Sequence, residues 1–318
     1  MTIPDHLGDK QQLNIRELIQ EKRDQRKVRN TIEKWIPKFL FMLAMVSILT
    51  TIGIIFTLSA ETIEFFKRVP LIDFFTGTVL KPLSQTPQFG ILPLVMGTLT
   101  SSVIALLVAA PIGLMSAIYL SQYASESVRK VLKPLLELLA GIPTIVYGFF
   151  AFTFVTPLLR EFIPRLEATN ILSPGIVMGV MIIPMIASLS EDAMSSVPNA
   201  MREGALGLGA TKLEVTRKVV IPAALSGIIA SFVLGISRAI GETMIVTIAS
   251  GSTKNFTFDI TQSMQTMTAY IVEVTGGDAS TGSTVYYSLY AVAMTLFIFT
   301  LCMNILARKI SKKFREEY

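Results

Sequence analysis

Residues 39–60 read FLFMLAMVSILTTIGIIFTLSA and contain no charged side chain. A helix of ~20 mostly apolar residues is long enough to cross the hydrocarbon core of a bilayer. The stretch therefore predicts a membrane-spanning helix. The whole chain agrees with this, because 51% of its residues are hydrophobic, 16% are charged and the mean hydropathy is +0.58. These proportions exclude an ordinary soluble domain with a charged surface.

Five more apolar stretches have the length of a membrane span. The predicted spans after the first are 94–120, 134–159 with Glu137 in its opening turn, 171–190, 223–250 running past Arg238 and Glu242, and one inside 279–307. Backbone polar groups in a bilayer must be satisfied within the protein, which helices achieve. The predicted fold is therefore an all-α, polytopic membrane helix bundle with about six transmembrane helices.

Lys and Arg are distributed unevenly between the two sets of loops. They crowd the arm before residue 39, the intervals after the second and fourth spans, and the tail. Because basic residues are retained on the cytoplasmic side, both termini are predicted to lie inside the cell. The opposite loops contain only Lys67, Arg68, Lys81, Arg160, Arg165 and Lys254.

The predicted organisation follows from the spans and their orientation. A basic cytoplasmic arm (1–38) precedes the first transmembrane helix (39–60). An outer, periplasmic segment (61–90) leads into a transmembrane domain (91–307) that contains a cytoplasmic loop (191–222) and is followed by a basic tail (308–318). Positive-inside retention and attraction to anionic membrane lipids explain the arm, so no nucleic-acid partner is expected.

Metal, cofactor and nucleotide sites are not expected. His6 and Cys302 are the single histidine and cysteine, and they cannot build a metal site. The sequence also lacks the Gly-x-x-x-x-Gly-Lys-Ser/Thr pattern that cradles ATP phosphates. Any ATP must therefore be bound by a partner.

Two charged residues stand inside the predicted fifth span. An ionised Arg at the centre of a bilayer costs ~2.5–3.5 kcal/mol on insertion scales, so Arg238 needs a partner or a water-filled cavity. Glu242, four residues later, is predicted to share its helical face and neutralise it. With Ser237 and Thr243 the pair is predicted to line a substrate pathway, although a purely structural ion pair is the alternative.

Small residues and helix breakers lie in the predicted spans. Gly227, Ser231, Gly235, Ala239 and Thr243 repeat every four positions, which predicts close approach of a second helix. Proline frees a backbone carbonyl, and transporters use such kinks at gates, although ordinary packing kinks are the alternative. The candidate breaks are Pro111 with Gly113, Gly141 with Pro143, and Pro184.

Residues 203–210 read EGALGLGA and lie in the predicted cytoplasmic loop. Their glycines predict a helix, a tight turn and a second helix, a unit that can fill a groove on a partner. The alternative is an ordinary loop. Glu203, Ala205, Gly209 and the later Pro222 match the Glu-Ala-Ala loop of the integral membrane subunits of ATP-binding-cassette importers, with Gly204 and Ile221 as departures. In that family the loop forms coupling helices that insert into the ATPase subunit.

The resemblance covers about residues 89–244, and further motifs within this range narrow the family to one branch. FGILP at 89–93, ELLAGIP at 137–143 and RAIGETM at 238–244 are similar to the phosphate-specific permeases of the PstC type, which have a MetI-like transmembrane domain. The resemblance implies a bacterial inner-membrane subunit that forms half of a phosphate pathway and is not itself an enzyme.

The resemblance also implies a set of partners. These are a second permease of the PstA type, a dimer of ATP-binding subunits of the PstB type and a periplasmic phosphate-binding protein of the PstS type. The outer region 254–278 has one Lys against Asp259, Glu273 and Asp278, which favours delivery by a binding protein over direct capture of an anion.

Two alternatives remain at the level of the sequence. The substrate could be another oxyanion such as sulfate, molybdate or phosphonate, because one Arg does not identify the anion. An ion-coupled secondary transporter would also need buried charge and broken helices, but it would not need the loop at Glu203. A membrane-embedded hydrolase is excluded, since the chain has no His-Glu-x-x-His and no intramembrane pair of aspartates.

Overall fold

The computed structural model of the chain describes residues 6–277 and 279–313. Residues 1–5 of the predicted arm, Asp278 and residues 314–318 of the predicted tail lie outside the described part. The described backbone divides into two compact units between Thr57 and Leu58.

The first unit belongs to one long helix, α1 (His6–Phe66), which starts in the predicted arm and continues through the first predicted span. Its segment Trp35–Phe66 has a mean hydropathy of 2.5, and the most apolar part of it is not buried by protein. This segment is long and apolar enough to cross a bilayer, as the sequence predicts.

A small outer subdomain connects α1 to the next span. It contains α2 (Leu71–Thr76) and two short antiparallel strands, β1 (Leu80–Lys81) and β2 (Gln88–Phe89), paired Leu80 with Phe89. The rings of Phe65, Phe74 and Phe89 meet edge to face at 5.3–5.5 Å between centroids. These two-residue strands are the only strands in the described part of the chain, so the all-α prediction is confirmed apart from them.

The described part of the chain contains five long apolar helical segments and one bent pair. The bent pair, Lys212–Ala223 with Leu225–Ile240, turns by 69° and gives up to six spans in total. This agrees with the predicted number. The five segments are Trp35–Phe66, Leu92–Tyr123, Thr144–Phe162, Leu172–Ser195 and Thr284–Ile310.

The helices of the second unit follow in chain order, with π-helical turns at 119–123, 151–155 and 216–220 that continue the helix before each of them. Their bounds are α3 (Leu92–Ile118), α4 (Glu126–Gly141), α5 (Thr144–Phe150), α6 (Thr156–Phe162), α7 (Leu172–Ser195), α8 (Asn199–Gly207), α9 (Lys212–Val215), α10 (Ile221–Ala223), α11 (Leu225–Ile240), α12 (Met244–Ala249), α13 (Met267–Gly276) and α14 (Thr284–Lys313).

The third predicted span is wrong in its boundaries. Helix α4 ends at Gly141, and the spanning segment begins at Thr144 instead of near residue 134. Pro143 explains the break, because it lacks a backbone N–H and disfavours helical geometry at the residue before it. Glu137 consequently lies in an amphipathic helix that precedes the span, and not in the opening turn of the span.

The fifth predicted span is also shorter than expected. Helix α11 ends at Ile240, and the chain resumes a short helix, α12, at Met244. The following residues 250–266 are not helical, yet Thr261, Ser263 and Gln265 are buried by the protein. Irregular backbone is tolerated in a membrane protein where protein surrounds it, as it does around these three residues.

Helix α7 is the central element of the bundle and packs against α3 and α11. A Cβ added to Gly227 of α11 would lie 2.4 Å from the Cβ of Ala193, and one on Gly235 would lie 3.1 Å from Ile186 Cδ1. Between them Ser231 Oγ and Ser190 Oγ form a hydrogen bond of 2.7 Å. The predicted close approach through the small residues of α11 is therefore confirmed, and α7 is the helix that approaches.

Candidate functional site

A cavity of about 460 Å³ lies between α4, α7 and α11. Most of its wall is apolar, and its charged side chains come from α4 and from the last turn of α11. Such a composition, with few polar groups in an apolar wall, is typical of a small-ligand site. The lining residues are Leu120, Lys133, Leu136, Glu137, Ala140, Met181, Pro184, Met185, Ser188, Leu189 and Arg238.

Arg238 is the most prominent charged residue of this cavity. Its exposed side chain extends from the last turn of α11, and Nη2 makes one long contact of 4.0 Å with Met181 Sδ. Among the described residues no carboxylate lies within ion-pair distance of the guanidinium. The planar group therefore retains N–H donors that can bind the oxygens of a small anion.

Glu242 does not neutralise Arg238, which corrects the predicted ion pair. Because α11 ends at Ile240, the two residues are not on successive turns of one helix. Glu242 is 8% exposed, and its Oε1 accepts hydrogen bonds from the backbone N–H groups of Met244 at 3.0 Å and Ile245 at 3.4 Å. It thus caps the start of α12, where a carboxylate is stabilised by unpaired backbone donors.

The other two predicted pathway residues also lie outside the cavity wall. Ser237 Oγ donates to Asn304 Oδ1 of α14 at 2.8 Å, on a different side of α11 from Arg238. Thr243 lies between α11 and α12 and donates to the carbonyl of Gly241 at 3.3 Å. Of the four predicted residues, only Arg238 lines the cavity.

Lys133 and Glu137 line the cavity but were not predicted as site residues. Lys133 Nζ forms an ion pair with Glu191 and contacts Asp192 Oδ1 at 3.3 Å. The hydrogen bond to Glu191 raises the pKa of Lys133, so its charge is maintained. The signal in the sequence was the helical spacing of apolar residues at 128, 131, 135 and 138, which marks α4 as amphipathic.

The charges of the cavity are compensated unequally. The buried carboxylate of Glu191 and the neighbouring Asp192 balance Lys133. Glu137 is exposed and, like Arg238, is absent from the ion pairs found in the described part of the chain. Arg238 is therefore the cation with the most unused hydrogen-bonding capacity for an anionic ligand.

The candidate helix breaks fall into two groups. Helix α3 continues through Pro111 and α7 continues through Pro184, so neither proline ends its helix. A Cβ on Gly113 would lie 2.8 Å from Ile186 Cγ2, which makes this glycine a packing contact between α3 and α7. The chain does leave the helix between Gly141 and Pro143, where Tyr147 Oη donates to the carbonyl of Leu139 at 2.7 Å across the break.

The predicted cytoplasmic loop is largely helical and begins later than expected, because α7 extends to Ser195. We call residues 196–222 the docking segment. Its helix α8 contains Glu203, Gly204 and Ala205, and the turn after α8 contains Gly209 with φ of +88°, which favours glycine. Pro222 lies in α10, at the far end of the segment.

The docking segment has one face on the bundle and one face exposed. Ala205 packs against a buried cluster that includes Met194 and Val215. Glu203 is exposed, and the side chain of Leu208 at the turn is 91% exposed. A leucine at the tip of a polar segment is suited to insertion into an apolar groove of a partner.

Comparison with known proteins gives a consistent set of relatives. Residues 109–316 match the family described as "Binding-protein-dependent transport system inner membrane component". The chain is 33% identical over 272 residues to the probable ABC transporter permease protein YqgH of Bacillus subtilis, covering 85% of this chain and 88% of that protein. It is also 33% identical to the phosphate transport system permease protein PstC of Mesorhizobium japonicum, covering 74% and 77% of the two chains.

Solved structures show the same fold at low sequence identity. A bacterial ABC transporter involved in import of the polysaccharide alginate matches with a TM-score of 0.62 at 16% identity, covering 92% of this chain and all of that chain. The MetNI methionine ABC transporter matches with a TM-score of 0.53 at 15% identity, covering 71% and 95%. At these identities the likeness concerns the fold alone.

Proposed function

Because this chain belongs to the family of inner membrane components of binding-protein-dependent transport systems, we propose that it is the permease subunit of an ATP-driven importer of inorganic phosphate. The observation that carries the proposal is Arg238, a cation without a carboxylate partner among the described residues, in the wall of an otherwise mostly apolar cavity. The similarity to phosphate permeases of the PstC type supports the choice of anion.

Arg238 binds the anion in transit. Its guanidinium offers a forked set of charge-assisted hydrogen bonds to two phosphate oxygens. The rest of the wall around it is mainly apolar, so few other groups hold the anion. Weak binding suits passage, since a pathway that gripped its ion tightly would stall.

Energy enters through partner subunits. Permease subunits of this family are not catalytic, and ATP hydrolysis belongs to a dimer of ATP-binding subunits of the PstB type. Glu203, Gly204 and Gly209 form the exposed part of the docking segment that contacts it. Ala205 holds α8 against the bundle, and Pro222 ends the segment. A second permease of the PstA type completes the pathway beside Arg238.

The remaining partners follow from the membrane location. The chain spans the membrane several times, and we place it in the bacterial inner membrane, surrounded by lipid, with both termini in the cytoplasm. A periplasmic phosphate-binding protein of the PstS type delivers the anion at the outer side. There Lys254 is already paired with Glu273 at 2.9 Å and does not attract free anions strongly.

The helix interruption at Gly141 and Pro143 is the best placed element for a gate. It joins α4, which contributes to the cavity wall, to the spanning segment that starts at α5. Residues with irregular backbone absorb the dihedral changes of domain motion. Pro111, Gly113 and Pro184 lie in continuous helices, so none of them is a gate of this kind. Pro184 lines the cavity, and Gly113 packs α3 against α7.

Competition for uptake tests the choice of anion. Cells lacking this gene and cells regaining it are given labelled phosphate with an excess of unlabelled sulfate, molybdate or phosphonate. We expect restored uptake that only unlabelled phosphate suppresses. Suppression by sulfate, molybdate or phosphonate would instead assign the permease to that oxyanion, and no restored uptake would reject phosphate.

A further inference from the structure

Helix α4 is attached to the bundle mainly by polar contacts. None of its residues is fully buried, and its apolar stripe is exposed. Near its start, Arg129 donates from Nη2 to the carbonyl of Leu120 at 2.6 Å. Near its middle, Lys133 pairs with Glu191 of α7. The position of α4 therefore depends on a few charged contacts more than on apolar packing.

Glu191 is the centre of these contacts. It is 2% exposed, its Oε2 pairs with Lys133, and its Oε1 lies 4.0 Å from Arg129 Nε. Ser195 Oγ also donates to Oε1 at 3.0 Å. A carboxylate buried to this degree is costly unless cations and donors surround it, and here α4 supplies both cations.

The location of Glu191 links two functional regions. It lies one turn before the end of α7 at Ser195, where the docking segment begins. Through Lys133 it also holds α4, which supplies Lys133, Leu136, Glu137 and Ala140 to the cavity wall. One carboxylate thus connects the root of the docking segment to the wall that faces Arg238.

We propose that Glu191 is a positioning residue for transport. Its contact with Lys133 makes α4 move together with the last turn of α7. A displacement of the docking segment by its partner then moves the cavity wall, and the exposure of Arg238 changes with it. Energetic coupling between distant sites travels through such charged contacts and rigid helices. This inference rests on the proposed function. It adds the contact through which movement of the ATP-binding subunits is transmitted to the cavity.

The first test compares Glu191→Gln with Asp192→Asn. Both replace a carboxylate by an amide and both carboxylates contact Lys133, but Asp192 is 62% exposed and Glu191 is buried. In the complete complex reconstituted in liposomes, we expect Glu191→Gln to keep ATP hydrolysis while phosphate taken up per ATP falls roughly tenfold. Asp192→Asn keeps the wild-type ratio. An unchanged ratio in assembled Glu191→Gln would contradict the proposal.

A distance measurement tests the same idea without a transported ion. Spin labels are placed at Lys130→Cys of α4 and Ser196→Cys after α7, both exposed, in a Cys302→Ser background. We expect the distance between the labels to stay constant between nucleotide-free and ATP-bound complexes, and to vary when Glu191→Gln is added. A distance that already changes with Glu191 present would show that α4 does not follow α7, whatever the substrate is.

A charge exchange covers the case in which Glu191→Gln fails to assemble. All three variants are made with Arg129→Gln and Asp192→Asn, which remove the two other charges beside the pair. In this background the single variants Lys133→Glu and Glu191→Lys each place like charges together, whereas the double variant restores an opposite pair. We expect the double variant to regain assembly and uptake per ATP relative to both single variants. If it recovers neither, the pair is not the link between α4 and α7, and the proposal is wrong.

Discussion

Replacing Arg238 with Ala is expected to reduce phosphate uptake roughly tenfold to a hundredfold, since hydrogen bonds to charged groups contribute about 1.5–3 kcal/mol. The guanidinium has one long contact with Met181 among the described residues, so its removal breaks no strong internal interaction. Assembly with the other subunits should consequently be retained. The effect is measured as initial uptake rate in the reconstituted complex.

Two further variants separate charge from geometry. Arg238→Lys keeps the positive charge but loses the forked donors, and we expect uptake between that of the wild type and Arg238→Ala. Arg160→Ala is the matched control, because Arg160 is an exposed arginine in the last turn of α6 that does not line the cavity. Wild-type uptake by assembled Arg238→Ala would remove Arg238 from the pathway.

Replacing Leu208 with Asp is expected to release the ATP-binding subunits and abolish uptake. Burial of a leucine side chain contributes about 1.5–3 kcal/mol, and a carboxylate forced into an apolar groove adds a desolvation cost. Because Leu208 is 91% exposed in this chain, the substitution should leave the fold of the permease intact. Co-purification of the ATP-binding subunits and uptake are measured together.

Leu83 provides the control for this substitution. Its side chain is 86% exposed, between β1 and β2 on the predicted outer side. We expect Leu83→Asp to retain the ATP-binding subunits and ATP-dependent uptake. If Leu208→Asp also retains both, the tip of the docking segment does not insert into the ATPase and the assignment of residues 196–222 fails.

The fold could be predicted from the sequence because length and hydropathy decide it. Residues 39–60 and the later apolar stretches have the composition that a bilayer requires, and the number of spans follows from counting them. The same counting failed at 134–159 and 223–250. Apolar composition does not distinguish an amphipathic helix beside the membrane from the start of a span. Pro143 and Gly241 lie where helices α4 and α11 end, and a mean hydropathy over ~20 residues does not register such ends.

The candidate site could be predicted only in part. Arg238 was found because an arginine in an apolar stretch is conspicuous, whereas its pairing with Glu242 assumed a continuous helix. Lys133, Glu137 and Glu191 were missed as site residues because tertiary contacts between α4 and α7 bring them to the cavity or its edge. Sequence spacing reports neighbours along one helix and carries little information about neighbours across two.

Labelled phosphate uptake in cells that express this gene identifies the energy source of transport when ATP and the proton gradient are removed separately. If the chain is the permease of an ATP-driven importer, uptake stops when ATP is depleted while the gradient is maintained. It persists when the gradient is collapsed and ATP is maintained. Uptake that survives ATP depletion but collapses with the proton gradient would make this chain part of an ion-coupled transporter and contradict the account.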